Sequence, residues 1–386
     1  MKNNILKSLL LLFTCFVSCI DPVSPEFEFS KDLVFIEAFA STIKGSSFVT
    51  VNESVLDSRG RYSNVFINDA QVTFKNSQTN EIIPLLMERE MYFPPIDFVV
   101  SVGDSWELNV VFSDGREYQS LPETVLEPVE ISALKATYNP VLLFRDDFQY
   151  YVPGHSVSVN FDEPAGQENY YYWRMRSYEK INYCEKCHEG IFRDGICVEN
   201  PLGSNRKKYY DYFCESDCWQ IRHSESIQIF DDQFSNGKRI NELPVADVLL
   251  YSKKDILVEV QQFSLSSFAH DYYKILKDII DNSSGFNAPP PAALLGNLFN
   301  PNNSDEFVLG RFTAASATAK TIFIERGEIT ENQLDQRPIR LAEECGEVCP
   351  FQDCMPGSSG PCKEVRGAPC EESRFRTSIT PKGWIE

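Results

Sequence analysis

The sequence predicts a mainly β protein with an N-terminal Ig-like β-sandwich and a second β-rich domain. The second domain carries one amphipathic helix and a disulfide-rich insertion and tail. Three observations support this fold class. Short apolar runs alternate with polar residues at a period of two, which is typical of half-buried strands. Hydrophobic residues make up 42% and aromatic residues 13% of the 386 positions, enough for sizeable cores. Ten of the 12 cysteines fall in two later segments.

The first sandwich is predicted over residues 34–125. Trp106, Leu108 and Val110 alternate with polar or charged neighbours. The Asp114-Gly115 dipeptide that follows them is a strong signal for a hairpin turn. Several short strands of this kind within about 90 residues are typical of a small sandwich.

The second β-rich domain is predicted over residues 126–340, after a proline-flanked junction. Its aromatic run, residues 170–176, has the alternation of a central strand. We expect Trp173 to pack in the core, with Arg174 and Arg176 on the opposite face.

One amphipathic helix is predicted from about Ser267 to Asp281, capped by Ser266 or Ser267 and ended by residues 282–285. Helical spacing gives it one apolar face that should pack on the second domain. That predicted face comprises Phe268, Tyr272, Ile275, Leu276 and Ile279.

The N-terminus indicates export and lipidation. Residues 1–18 have two lysines followed by a short apolar run, which suits a signal peptide and is too short to span a bilayer. The run ends at Ser18-Cys19, so we expect signal cleavage there and a lipid on Cys19. Residues 19–33 contain Pro22 and Pro25 and predict an extended tether. An ordinary signal peptide with an incidental cysteine is the alternative.

The net charge and the cysteines restrict the partners and the compartment. A formal net charge of −20 excludes electrostatic affinity for nucleic acid. An even number of cysteines in an exported chain predicts disulfides. They are Cys184, Cys187, Cys197, Cys214 and Cys218 in the insertion 184–218, and Cys345, Cys349, Cys354, Cys362 and Cys370 in the tail 341–386.

The parity of the two cysteine clusters predicts a long-range link. Each cluster holds five cysteines, so it cannot pair entirely within itself. If every thiol is oxidised within one chain, at least one disulfide must join the insertion to the tail. The alternative is one free thiol in each cluster.

Two metal-centred alternatives use the same insertion. Cys184, Cys187 and His188 fit the pattern for covalent haem attachment. Together with Cys214 and Cys218, the first two thiols could instead hold zinc. Oxidation to disulfides competes with both in an exported protein, so we expect no cofactor and no metal.

Enzyme signatures are missing from the sequence. It contains no Gly-x-Ser-x-Gly, no His-Glu-x-x-His and no phosphate-binding glycine loop. His270 lies in the predicted helix, where packing is expected. Residues 300–306 could hold calcium in a loop but lack the EF-hand spacing. We therefore expect no catalytic residues.

Several short motifs follow one another along the chain: Asp114-Gly115-Arg116-Glu117-Tyr118, Asp162-Glu163-Pro164, Asn169-Tyr170-Tyr171, Gly296-Asn297-Leu298-Phe299 and Leu309-Gly310-Arg311-Phe312. In their residues and their order they resemble a family of Bacteroidota outer-membrane lipoproteins whose shared region is a domain of unknown function. The resemblance covers most of the mature chain and implies a role beside a TonB-dependent receptor. It implies no catalytic residues.

The leading hypothesis is a lipid-anchored, non-enzymatic binding or accessory subunit of a TonB-dependent receptor barrel, exposed at the cell surface and serving nutrient uptake. The sequence does not name the ligand. A structural accessory of an outer-membrane assembly is the second hypothesis, and a secreted hydrolase is the third.

Overall fold

The computed structural model describes residues 33–56, 62–145, 147–188, 190–193, 195–199, 209–224, 226–282, 294, 296–334, 339 and 367–385. The predicted signal peptide, Cys19 and nearly all of the tether lie outside the described residues. So do four of the tail cysteines, Cys345, Cys349, Cys354 and Cys362.

Within the described residues the chain is mainly β, as predicted, with one helix. Its first ten strands are β1 (Val34–Ser41), β2 (Phe48–Leu56), β3 (Tyr62–Phe66), β4 (Gln71–Asn76), β5 (Ile82–Pro84), β6 (Leu86–Glu88), β7 (Met91–Phe93), β8 (Ser105–Val111), β9 (Glu117–Ser120) and β10 (Glu123–Thr124).

The remaining elements include the helix and the longest strands. They are β11 (Ile131–Arg145), β12 (Tyr150–Asp162), β13 (Tyr170–His188), β14 (Gly190–Arg193), β15 (Ile196–Glu199), β16 (Tyr209–His223), β17 (Gln228–Asp231), β18 (Arg239–Leu249), β19 (Ile256–Leu265), α1 (Ser267–Asn282), β20 (Leu298–Phe299), β21 (Val308–Ala315), β22 (Ala317–Ile324) and β23 (Arg376–Thr377).

The first sandwich packs two sheets face to face. Sheet I has the strand order β21-β1-β2-β7-β6, with β3 also paired to β2. Sheet II has the order β20-β9-β8-β4-β5, with β10 also paired to β8. Period-two side chains such as Ile36 and Val51 from sheet I meet Phe74 and Leu108 from sheet II in one fully buried core.

The second sandwich repeats this arrangement. Sheet III has the order β11-β12-β18, and sheet IV has the order β22-β19-β13-β16-β23, with β17 also paired to β13. Val159 and Phe161 of sheet III pack against Trp173 and Val258 of sheet IV. Trp173 is 1% exposed, which confirms its predicted place in the core.

The sequence-based division of the chain differs from the structure at residues 298–315. We expected this segment in the second domain, but β20 and β21 belong to the first sandwich. β21 lies parallel to β1, with Val34 opposite Val308 and Ser41 opposite Ala315. A parallel pairing across more than 270 residues leaves no local signal in the sequence. Turn residues identify the two strands of a hairpin as partners, but no turn connects β1 directly to β21.

The insertion is an outward extension of sheet IV. β13 and β16 continue past the sandwich as a long antiparallel pair, and the small hairpin β14–β15 lies beside them. Among the described cysteines, three disulfides join Cys184 to Cys214, Cys187 to Cys197, and Cys218 to Cys370. The last one links the insertion to the tail across 152 residues, the kind of link that the parity argument requires.

The helix lies between the two sandwiches, and its buried face differs from the predicted one. Ala269, Tyr272 and Tyr273 are buried against Phe39 and Phe263, in a third apolar cluster. Phe268 is 78% exposed and Ile275 41%, so their assignment to the buried face was wrong. The reason is that Ala269 and Tyr273 complete an i, i+3, i+4 pattern with Tyr272, and small Ala269 lets the helix approach the rings.

The predicted helix start is confirmed. Ser266 accepts a hydrogen bond from the Ala269 backbone N–H at 3.2 Å, so it is the N-cap. No helix among the described residues combines the length and apolarity needed to cross a bilayer.

Candidate ligand-binding cleft

A cleft of about 390 Å³ lies where the two sandwiches face each other. Sheet I, sheet IV, the helix α1 and the tail all contribute to its walls. The lining includes Phe35, Glu37, Phe48, Thr50, Met91, Tyr172, Arg174, Arg176, His223, Gln261, Tyr273, Leu276, Ile280 and Arg374.

The period of two explains which side chains reach the cleft. On β1, Ile36 points into the core of the first sandwich, so Phe35 and Glu37 lie on the opposite face. On β13, Trp173 points into the core of the second sandwich, so Tyr172 and Arg174 lie on the opposite face. The outer faces of sheets I and IV therefore form the two walls.

Arg174 lies at the centre of an aromatic cluster. Its guanidinium carbon is 3.9 Å from the Phe39 ring centroid and 4.9 Å from that of Phe48. Its Nε donates to the Tyr172 hydroxyl at 3.3 Å. The nearest carboxylate, Glu37, lies 3.8 Å from Nη2. The side chain is 15% exposed, so its charge acts in a desolvated environment.

Arg374 brings a second cation from the tail. Its guanidinium carbon lies 4.6 Å from the centroid of the same Phe48 ring, and its Nη1 lies 2.8 Å from the Met91 sulfur. Burial, and then the charge of Arg174, lower the pKa of Arg374 to about 10. At neutral pH the group is still fully charged. No carboxylate lies within 4 Å of it in the described part of the chain.

The other basic groups of the cleft are neutralised or uncharged. Arg176 is paired with Glu259 through contacts of 2.8 and 3.2 Å. Burial, and then the charge of Arg374, lower the pKa of His223 to about 4, so its ring is neutral at pH 7. Its Nε2 lies 3.1 Å from the Arg374 carbonyl oxygen and donates to it. Among the described residues that line the cleft, Glu37 supplies the one carboxylate that Arg174 and Arg374 face. The whole chain nevertheless has a net charge of −20.

The tail reaches the cleft because it is anchored on both sides of Arg374. Cys370 is bonded to Cys218 on β16, and the Phe375 carbonyl accepts from the Ile221 N–H at 2.8 Å. Further along, Trp384 packs edge-on against Trp219 and Phe323. The tail thus adds an edge strand, β23, to sheet IV.

A family model described as a domain of unknown function, DUF4249, matches residues 20–321. The chain belongs to this family. No curated protein and no solved structure matches it significantly. The DUF4249 match ends inside β22, before the tail. The family region therefore includes Arg174, Phe39 and Phe48, whereas Arg374 and Cys370 lie beyond it.

Two of the motifs quoted from the sequence, at residues 296–299 and 309–312, meet where the sandwiches join. The side chain of Asn297 hydrogen bonds to both the N–H and the carbonyl of Phe312, at 3.0 and 2.9 Å. Arg311 donates to Glu123 at 2.5 Å, and Ser266 donates to the same carboxylate at 2.5 Å. These residues connect β21 with β10 and with the helix cap, which makes them structural.

Two further quoted motifs, at residues 162–164 and 169–171, are also structural. Glu163 accepts hydrogen bonds from Asn169 at 2.7 Å and from the Tyr171 hydroxyl at 3.0 Å. Burial is the main cause that raises the pKa of Glu163, and the neighbouring Asp232 also raises it. The network fixes the start of β13, the strand that carries Arg174.

The thiols proposed for haem or zinc are already bonded. Cys184 and Cys187 form disulfides with Cys214 and Cys197. Although the sulfurs of Cys184, Cys218 and Cys370 lie within 4.8 Å of one another, each is in a disulfide. The arrangement therefore suits cross-linking, and these thiols do not fit either metal centre.

The remaining sequence candidates are occupied by internal contacts. His270 is 4% exposed and its ring lies 5.0 Å from that of Tyr170, which confirms that it packs. In the loop proposed for calcium, Glu306 accepts from Tyr118 at 2.7 Å and from Asn300 at 2.6 Å. Both carboxylate oxygens of Glu306 are thus engaged by protein donors.

The cleft itself was not predicted from the sequence. Arg174 was expected on the non-core face of β13, without a role. The signal available was that two arginines share this face with Tyr172 in an acidic protein. Nothing local could have indicated Arg374, because its position depends on a disulfide partner more than 150 residues away.

Proposed function

We propose that this chain is a lipid-anchored, non-enzymatic binding subunit that serves a TonB-dependent receptor in nutrient uptake at the outer membrane. The observation that carries the proposal is the cleft between the sandwiches. Its volume of about 390 Å³ is in the range of small-molecule sites, and charged side chains line it among aromatic ones.

The chemistry of the cleft favours binding over catalysis. His223 has its pKa lowered to about 4 and uses Nε2 to hold the tail, so its ring is poorly placed to serve as a general base. Arg174 and Arg374 can orient an anion but do not exchange protons near neutral pH. Aromatic rings and fixed cations are typical of recognition sites.

The proposed location at the outer membrane and the proposed receptor partner are supported by the sequence. The apolar run that ends at Ser18-Cys19 supports lipidation, and the family resemblance supports the receptor. A tether of about 15 residues, extended at roughly 3 Å per residue, would leave the body free to reach a neighbouring barrel.

Co-purification from native membranes tests this proposal. The full chain with a C-terminal tag is extracted in mild detergent, and the proteins retained with it are identified by mass spectrometry. We expect a TonB-dependent receptor barrel in near-stoichiometric amount. An equally abundant lipoprotein with the same tag is the control. Equal recovery of the barrel with both baits would contradict the proposal.

A second candidate function, a structural accessory of an outer-membrane assembly, is favoured by the tip of the β11–β12 hairpin. β18 joins β12 only from Gly154 onward, so the tip extends beyond sheet III. Its exposed apolar side chains are Val141, Leu143, Phe144, Phe148, Tyr150 and Tyr151. Exposed apolar clusters of this kind mark contact sites. Replacing Phe144 and Tyr151 with serine should remove the barrel from the pull-down if the tip is the contact.

A further inference from the structure

Resting on the proposed binding function, we propose that the cleft binds an organic monoanion, a carboxylate with an apolar body, and that the tail supplies half of the carboxylate site. Arg174 and Arg374 would hold the carboxylate. The Cys218–Cys370 disulfide would act as a positioning element for Arg374.

The charge of the cleft selects an anion. Arg174 and Arg374 contact the same Phe48 ring, at 4.9 and 4.6 Å, and repel each other. Glu37 lies within ion-pair distance of Arg174. Two guanidinium groups and one carboxylate leave one net positive charge, which one carboxylate ligand would neutralise. A phosphate would carry an excess of negative charge.

The shape of the donors fits a carboxylate. A guanidinium group presents planar pairs of N–H donors that match the two oxygens of a carboxylate. The Nε of Arg174 is engaged by Tyr172, and its Nη2 is 3.8 Å from Glu37, longer than a hydrogen bond. Arg374 has a sulfur as its nearest neighbour at Nη1, a weak acceptor that a carboxylate oxygen would outcompete.

The walls select an apolar body of limited size. Phe48, Tyr273, Leu276 and Ile280 line the cleft, and Ile280 is 51% exposed. The volume corresponds to roughly a dozen water molecules. An aliphatic or aromatic carboxylate of that size would lay its body along the helix and direct its charge toward the two arginines.

The anchoring of the tail explains the role of the disulfide. Arg374 lies four residues after Cys370 and two before Arg376. In β23, Arg376 pairs with Gln220 of β16. Between these anchors, His223 donates to the Arg374 carbonyl. The backbone of Arg374 is therefore fixed on three sides. Because the tail lies beyond the DUF4249 match, this second cation belongs to a segment outside the family region.

The experiment compares three probes that share one body. 4-Phenylbutyrate, 4-phenylbutan-1-ol and 4-phenylbutylamine are titrated into the full chain, and binding is followed by calorimetry. We expect the carboxylate to bind at least ten times more tightly than the alcohol, and the amine most weakly. Equal affinities for the carboxylate and the alcohol, or no binding of the carboxylate below 10 mM, would overturn the proposal.

Variants then test whether Arg374 causes the preference for the carboxylate over the alcohol. Arg374→Gln should weaken phenylbutyrate about 10- to 100-fold, the effect of losing one charge-assisted hydrogen-bond partner, while the alcohol is unaffected. Arg374→Lys should recover only part of the loss. The matched control is Arg239→Gln, whose side chain is 53% exposed on sheet III beside Asp162. If Arg239→Gln and Arg374→Gln behave alike, the site is not at the cleft.

The role of the disulfide is tested by the ratio of the affinities for the carboxylate and the alcohol, because a general loss of fold stability would not change this ratio. The Cys218→Ser, Cys370→Ser double variant should lower the carboxylate-to-alcohol preference to that of Arg374→Gln. Adding Arg374→Gln to it should cause no further loss. A full preference in the double variant would refute the positioning role. If the chain prefers the carboxylate but no barrel co-purifies with it, only the proposed receptor partner is contradicted. If a barrel co-purifies but the chain shows no preference for the carboxylate, only the proposed ligand class is contradicted.

Discussion

At the scale of single residues, Gly310 decides whether β21 can lie beside β1. Its φ of +101° belongs to a region that residues with a side chain rarely adopt. A Cβ at this position would also collide with the backbone of Ile36. The glycine in the Leu309-Gly310-Arg311-Phe312 motif is therefore required by both conformation and space.

Gly310→Ala should lower the free energy of unfolding by at least about 2 kcal/mol, because conformational strain adds to the collision. Gly103→Ala is the matched control. Gly103 also has a positive φ, +85°, but nothing lies within 4 Å of a Cβ there. It should cost about 1 kcal/mol. Urea denaturation of both variants measures the difference, and equal losses would show that the close approach is unimportant.

His155 is the second decisive residue, because it makes stability depend on pH. Burial, and then the charge of Arg326, lower its pKa to about 4, from about 6.5 in an unfolded chain. The unfolded state therefore binds more protons between these values, so stability should fall as the pH drops from 6.5 toward 4. The imidazole packs on the Tyr138 ring at 5.2 Å.

His155→Phe keeps an aromatic ring at this position and removes the titration. Between pH 7 and pH 5, the wild-type chain should lose about 2 kcal/mol of unfolding free energy through His155 alone, and the variant should not. Urea midpoints at the two pH values measure this. His223 titrates in both proteins and so cancels. An unchanged pH dependence would mean that His155 is accessible to protons in the folded state.

At the scale of elements, α1 is held by a few aromatic contacts. Tyr273 is 1% exposed, stacks on Tyr172 with ring centroids 4.7 Å apart, and hydrogen bonds to Thr313 at 3.1 Å. This one side chain thus connects the helix with sheet IV and with β21. Helix packing and the shape of the cleft depend on the same contact.

Tyr273→Ala should cost about 3–5 kcal/mol, the range for removing a buried aromatic side chain. Phe268→Ala, on the exposed face of the same helix, should change stability by no more than about 0.5 kcal/mol. Thermal or urea unfolding of the two variants distinguishes the buried face from the exposed one. A large loss of unfolding free energy for Phe268→Ala would show that Phe268 is buried, as the sequence predicted.

The elements were more predictable than their partners. The period of two indicated β8 and β13, and the serine cap indicated the start of α1, because these signals are local. The face of α1 was misassigned because a small alanine carries little hydrophobic weight and yet fits closest to the core. The place of β21 and the reach of Arg374 depend on partners distant in sequence, on which local patterns carry no information.

At the scale of the whole molecule, the helix α1 and the tail both contact the cleft between the two sandwiches. The proposed membrane attachment depends on a single residue, Cys19, which lies outside the described residues. Cys19→Ala should move the protein from the membrane fraction to the soluble fraction after a high-salt wash. Fractionation with immunodetection measures this. Retention of the variant in the membrane would show an anchor other than lipid.

The parallel pairing of β21 with β1 also sets an order of folding events. Sheet I holds β1, made near the start of the chain, but β1 lacks its outer neighbour until residue 315 has emerged. Pairings between residues so distant form slowly, because the intervening chain must first be ordered. Until then β1 is an open sheet edge, the kind of surface that promotes aggregation. For the export proposed above, β1 would therefore need a holding chaperone until β21 has also arrived.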